Sequence, residues 1–132
     1  MLTLLLIALG SALGGMARYG MSQAISLSFG ETFPWGTLLV NVLGSFIIGV
    51  FAALSGPDSR FLIAPEIRQF VMIGLCGGFT TFSSFSLQTF SLLQDNEWLF
   101  ASLNIILSVM LCLMLTWVGF MTASYLFHLK GV

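Results

Sequence analysis

The chain has 132 residues, 58% of them hydrophobic and 7% charged, with a net charge of −1 and a mean hydropathy of +1.04. A soluble domain carries about 25% charged residues, so this chain cannot cover its surface with charge and its solvent must be mostly lipid. The same composition excludes a basic patch for nucleic acid and a polybasic segment for anionic lipid.

Residues 2–9 are apolar and small residues follow, as in a signal peptide, but no Lys or Arg precedes them. Without a charged n-region the better reading is an uncleaved first transmembrane helix. A helix needs about 20 apolar residues to cross a bilayer core of ~30 Å. The first span is expected over residues 2–21. Gly10 and Gly14 form a GxxxG pair in it, a spacing that lets helices approach closely in lipid. Arg18 stands near its end, as a snorkelling anchor or a structural ion or carbonyl contact. Residues 22–33 read as a polar connector.

Pro34 and Trp35 open a second span, residues 35–54. Thr37, Asn41, Ser45 and Gly49 recur every four residues and so share a helix face. A buried amide such as Asn41 needs partners. It can be an interhelical hydrogen bond or a donor facing a polar path. Residues 55–65 form the main loop, with Gly56-Pro57-Asp58 as turn chemistry.

The third span, residues 66–93, is too long for one straight crossing. Within it residues 74–86 read GLCGGFTTFSSFS, with three glycines and five hydroxyls. Gly weakens a helix, and Ser and Thr bond their own backbone. A break near Gly77-Gly78 accounts for both the length and the hydroxyls, and broken backbone at membrane depth must be buried in protein or reached by water. This stretch is therefore the first candidate for a functional site. After a short turn, the fourth span covers residues 98–127 and carries a second stripe, Asn104, Ser108, Cys112 and Thr116.

Four spans put both termini on one side. Arg60, Arg68 and Lys130 fall on that side and Arg18 on the other, a weak charge bias. A weakly biased chain can insert both ways, and four short helices are too few to wrap a pore, so an oligomer is expected, with an antiparallel homodimer as one option. Cys76 and Cys112 both fall in apolar runs and read as small hydrophobes. His128 is the only histidine, so no histidine zinc site or triad can form. None of the serines has a base, which argues against an enzyme. No carboxylate falls at mid-membrane for proton coupling. Passive conduction remains. Hydroxyls and amides can replace part of an ion's water, and Phe ring edges favour an anion while faces favour a cation. Phe82 and Phe85 share a helix face.

The motifs GGMARY (14–19), WGTLLVNVLGSFIIG (35–49) and GLCGGFTTFSSFS (74–86), spread over a four-span chain, resemble the CrcB/Fluc fluoride channel family. The resemblance implies an all-α integral membrane protein with a broken third helix. It implies an antiparallel, dual-topology homodimer with two fluoride pores, in a bacterial inner membrane. It implies that Phe82 and Phe85 contact fluoride by ring edges, that Asn41 donates to it with Thr37 assisting, and that Ser108 lies on a polar track. It implies that backbone carbonyls of Gly77 and Thr80 from both subunits hold a structural sodium ion, and that Arg18 is structural. The chain departs from the family at Gln88, where members often carry an acid, and at Asn104 and Cys112, where Tyr and Ser are expected. Two other classes fit the size. One is a small dual-topology exporter of organic cations, which would usually carry a carboxylate in the first span. The other is a non-conducting assembly subunit, which would not need the polar stripes.

Overall fold

The computed structural model describes residues 1–57, 59 and 61–127. Asp58, Arg60, His128 and Lys130, named above for the turn, the charge bias and the lone imidazole, lie outside the described residues. Among those described, all regular structure is helical: α1 (Leu2–Phe29), α2 (Trp35–Leu54), α3 (Pro65–Gln69, Phe70–Cys76 and Gly77–Phe79), α4 (Phe82–Gln94) and α5 (Trp98–Leu126). Four helical stretches, with α3 and α4 counted as one, are long and apolar enough to cross a membrane.

Each boundary has a local cause. α1 continues to Phe29, well past residue 21, because nothing in its serines and glutamine stops a helix. Ser28 Oγ bonds back to the Ala24 carbonyl at 2.9 Å. The stop comes at Gly30, whose φ of 83° suits glycine. The expected polar connector is thus mostly helix. Pro65 takes the first position of α3, where its missing N–H is not needed. Asn96, at φ 61°, makes the tight turn between α4 and α5, a conformation Asn tolerates. Aromatic clusters mark the ends of the helices. Phe33 and Trp35 lie 4.7 Å apart at one end, and Phe61 and Phe127 meet edge to face at the other. Such rings suit the headgroup level.

Two glycine-mediated crossings hold the bundle. On α1, Gly10 and Gly14 face Gly74 and Gly78 of α3. A Cβ on Gly10 would sit 2.7 Å from the Phe70 carbonyl oxygen, and one on Gly78 would sit 2.6 Å from that of Ser11. Between α2 and α5 the approach is reciprocal: Gly49 lies on the Thr116 carbonyl and Gly119 on that of Phe46. Lipid tails are as apolar as leucine, so close packing of this kind, rather than a hydrophobic drive, joins helices in a membrane. The outward faces are correspondingly apolar, as at Leu4, Leu9, Met110, Leu113 and Trp117, all about half exposed or more.

These crossings relocate the break. Gly77 and Gly78 are helical, and Gly74 and Gly78 serve the contact with α1. The chain instead leaves the helix at Thr80 (φ −87°, ψ 159°) and Thr81 (φ −153°, ψ 112°). Before it, residues Phe70–Cys76 are wound as a π-helix, a rare form that widens the turn.

Adding a side chain at a crossing is therefore expected to separate the helices. Gly49→Val should lose stable, monodisperse protein in detergent, read by size exclusion and thermal unfolding. Gly15→Ala, with no atom within 4 Å of its added Cβ, should behave as the parent.

Candidate functional site

The break needs partners for its backbone, because a bare N–H or C=O in hydrocarbon costs several kcal/mol. Asn41, at mid-α2, supplies both. Its Oδ1 accepts from the Thr81 N–H at 2.7 Å, and its Nδ2 donates to the Thr81 carbonyl at 3.0 Å. The amide thus pairs with one residue's backbone as a neighbouring strand would. Thr81 then caps α4: its Oγ1 accepts from the Ser84 N–H at 3.1 Å and reaches Ser84 Oγ at 3.0 Å. In a continuous helix the Thr81 N–H would go to the Gly77 carbonyl. Given to Asn41, it leaves that carbonyl without its ladder donor. Thr80 closes α3, with its N–H and Oγ1 both on the Cys76 carbonyl at 2.9 Å.

α4 is locked to α5 by a second chain of bonds. Ser108 Oγ donates to Asn104 Oδ1 (3.4 Å), Asn104 Nδ2 to Thr89 Oγ1 (2.9 Å), and Thr89 Oγ1 to the Phe85 carbonyl (2.7 Å). Asn104 is 2% exposed, so its amide is spent inside the protein.

A groove of about 440 Å³ opens along these elements. Its floor is α2 at Asn41, Gly44, Ser45 and Ile48. One wall is α3 and the break, with Met72, Cys76, Gly77, Thr80 and Thr81; the other is α5, with Ser108, Val109, Cys112 and Leu113. Phe82 and Phe85 line it as well. Their ring centroids are 5.2 Å apart and their planes tilt by 52°, so the pair is neither stacked nor T-shaped. Phe85 is buried at 8% exposure, while Phe82 is 76% exposed. Gly77 is exposed as well. Among the described residues, no Asp, Glu, Lys, Arg or His lines the groove. Cys76 and Cys112 both line it, but the Phe70–Cys76 turns and α5 share no Cα pair within 8 Å, which puts a disulfide out of reach.

Six of the site residues named from sequence therefore meet in one place: Asn41, Gly77, Thr80, Phe82, Phe85 and Ser108. Thr37 and Arg18 do not. They line a separate cavity of about 340 Å³ on the α1 side of the break. The stripes explain the split. Four residues advance a helix by about 40° more than a full turn, or about 120° over three steps. Thr37 thus faces the α1 side, Ser45 faces the groove, and Gly49 reaches the α5 crossing. On α5, Asn104 faces α4, Ser108 and Cys112 line the groove, and Thr116 bonds back to the Cys112 carbonyl. Sequence reasoning missed the roles of Thr81, Ser84 and Thr89. Thr81 and Ser84 lay in the hydroxyl cluster already singled out. Thr89 had no signal, since its partner Asn104 lies on the next helix.

A family model described as CrcB-like protein, Camphor Resistance (CrcB), matches residues 5–120. A protein of Opitutus terrae named Fluoride-specific ion channel FluC is 54% identical over 127 residues, covering 96% of each chain. One of the same name from Paramagnetospirillum magneticum is 54% identical over 124 residues, covering 94% of this chain and 97% of its own. One from Rhodospirillum rubrum is 52% identical over 118 residues, covering 89% and 92%.

Replacing Asn41 should expose the cost of the break. Asn41→Leu strands a buried N–H and C=O, each worth about 1–3 kcal/mol. Its thermal midpoint in detergent should fall by several degrees. Asn41→Gln, which keeps the amide on a longer stem, should fall less.

Proposed function

The chain belongs to the CrcB-like family, and from that premise we propose that it is a passive, fluoride-selective channel through which a cell sheds cytoplasmic fluoride. It is a multi-pass membrane protein and not an enzyme. The observation that carries the reading is the groove lining: an amide, hydroxyls and two phenylalanines on helices long and apolar enough to cross a membrane, with no fixed charge among the described residues.

Fluoride is small and strongly hydrated, so its dehydration is costly. Weak donors in series replace that water in steps. Asn41 Nδ2 spends one hydrogen on Thr81 and has a second to offer. The Ser108 hydroxyl and the positive edges of Phe82 and Phe85 continue the series. Conduction requires binding strong enough to admit an ion and weak enough to release it. A groove without ammonium or guanidinium meets the second condition, and chloride is excluded by width.

The active unit in this reading is an antiparallel homodimer with two pores. The support is that the groove lies open on the outer face of the protomer, with Phe82 and Gly77 exposed beside it. A second copy would supply the missing wall. A sodium ion at the dimer centre would be held by the carbonyls of Gly77 and Thr80. The fit rests on the Gly77 carbonyl having lost its ladder donor, and on α3 pointing the negative end of its dipole there. Oxygen ligands suit a hard cation, which would supply a fixed positive charge at the centre. Export of organic cations would call for a carboxylate in the first span, and residues 2–21 hold none.

Purified protein in liposomes should release fluoride rapidly and chloride hardly at all. Robust chloride flux, or silence from well-folded protein, refutes the reading. Phe82→Ile and Phe85→Ile should each lower fluoride flux at least about tenfold, a rise of about 1.4 kcal/mol in the barrier to permeation, while crosslinking still yields a dimer.

A further inference from the structure

The groove holds both thiols of the chain. Cys76 stands on its α3 wall and Cys112 on its α5 wall, and the Met72 thioether lines the α3 wall as well. Met72 and Cys76 are four residues apart, close to one turn, so they lie one above the other on one helix face. The two cysteine backbones are held by the same device. The Thr80 hydroxyl donates to the Cys76 carbonyl and the Thr116 hydroxyl to the Cys112 carbonyl, each at 2.9 Å. Both bonds use the carbonyl and leave the sulfur out. Cys76 and Cys112 are free thiols, and Cys112 and Met72 are half-buried. The walls stand too far apart for a disulfide, but a metal bridge reaches further. A disulfide joins its sulfurs at about 2.05 Å. A metal between two thiolates, with metal–sulfur bonds of about 2.3 Å as for zinc, spans up to about 4.6 Å.

The ligand set selects the ion. Among the described residues no group of three His, Cys, Asp or Glu could hold a metal, so zinc, which takes four ligands of that kind, is poorly served. Two thiolates and a thioether are a soft set, which suits Cu(I). We propose that Met72, Cys76 and Cys112 form a site for a soft monovalent cation, Cu(I) or Ag(I), across the groove, and that filling it closes the fluoride path. The closing rests on the channel reading above. Binding breaks two S–H bonds and forms two metal–sulfur bonds; both protons leave to water, and nothing is oxidised or reduced. The Met72 sulfur adds a neutral third ligand. Two thiolates against one cation leave a net negative charge, so the bridge obstructs the path and also repels an anion in it.

Silver nitrate is the probe, in chloride-free buffer, because silver fluoride is soluble where silver chloride is not. Parent protein in detergent should bind one Ag(I) per subunit, read by the ultraviolet absorption of the metal–thiolate bonds. Cys112→Ser and Cys76→Ala should each weaken that binding at least about tenfold, since even the outer partners of a metal site are worth as much. Met72→Leu should weaken it less. In liposomes, micromolar silver should block most of the parent's fluoride flux, and excess dithiothreitol should restore it. Each variant's block is compared with its own flux before silver, and Cys112→Ser should resist. If Cys76→Ala does not assemble, Cys112→Ser decides. The bridge is overturned if Cys112→Ser binds silver as tightly as the parent, and the closing is overturned if bound silver leaves the parent's flux intact. Absence of fluoride flux from the parent overturns the channel reading and the closing with it, while silver binding in detergent still decides the site.

Discussion

Two hydrogen bonds between the Asn41 amide and the Thr81 backbone hold the third span apart. Water is not available in a bilayer core to satisfy an interrupted helix, so an interruption persists only where protein supplies both a donor and an acceptor. A side-chain amide does this with one planar group. The rest of the centre follows from that pairing. Thr81, fixed in extended backbone, turns its hydroxyl to cap α4. α4 then starts with Phe82 outward and Phe85 inward. The Gly77 carbonyl is freed, and the polar space is divided into a groove and a second cavity that share Thr81.

The frame around this centre is stiff for a complementary reason. Glycines at the α1–α3 and α2–α5 crossings bring backbones into contact, leaving little room to slide. The chain from Ser108 through Asn104 and Thr89 to the Phe85 carbonyl ties α4 to α5 from behind. Phe85 is thereby held by its own backbone as well as by packing. A small, strongly hydrated anion needs donors at fixed places, and a passive path needs no moving part to carry it. The division of charge fits the same demand. Among the described residues no fixed charge lines the groove, which suits a path that an ion must also leave. Arg18 stands in the polar cavity on the other side of the break.

Much of this was legible in the residues. Mean hydropathy and apolar run length gave four spans, because lipid demands them regardless of how the helices pack. The unusual length of residues 66–93 and the hydroxyl content of residues 74–86 marked the interrupted span, since a helix that merely fills lipid has no use for either. Asn41, Phe82, Phe85 and Ser108 stood out as polar or paired aromatic groups at membrane depth, and the structure brings them to one groove. The glycines misled. Gly77-Gly78 looked like the break because glycine weakens helices, yet close packing against α1 keeps that turn helical. The break fell instead where a distant amide could satisfy it.

The sequence by itself determined the solvent, the number of crossings and the kinds of group available to an ion, because these depend on composition and on local periodicity. Only the tertiary structure decided where the third span opens, which side of it each polar residue faces, and that Thr37 and Arg18 part company with Asn41. Those outcomes depend on partners 40 residues apart, as Asn41 and Thr81 are, and on the drift of a four-residue stripe around a 3.6-residue helix. Neither can be read until the helices are placed side by side.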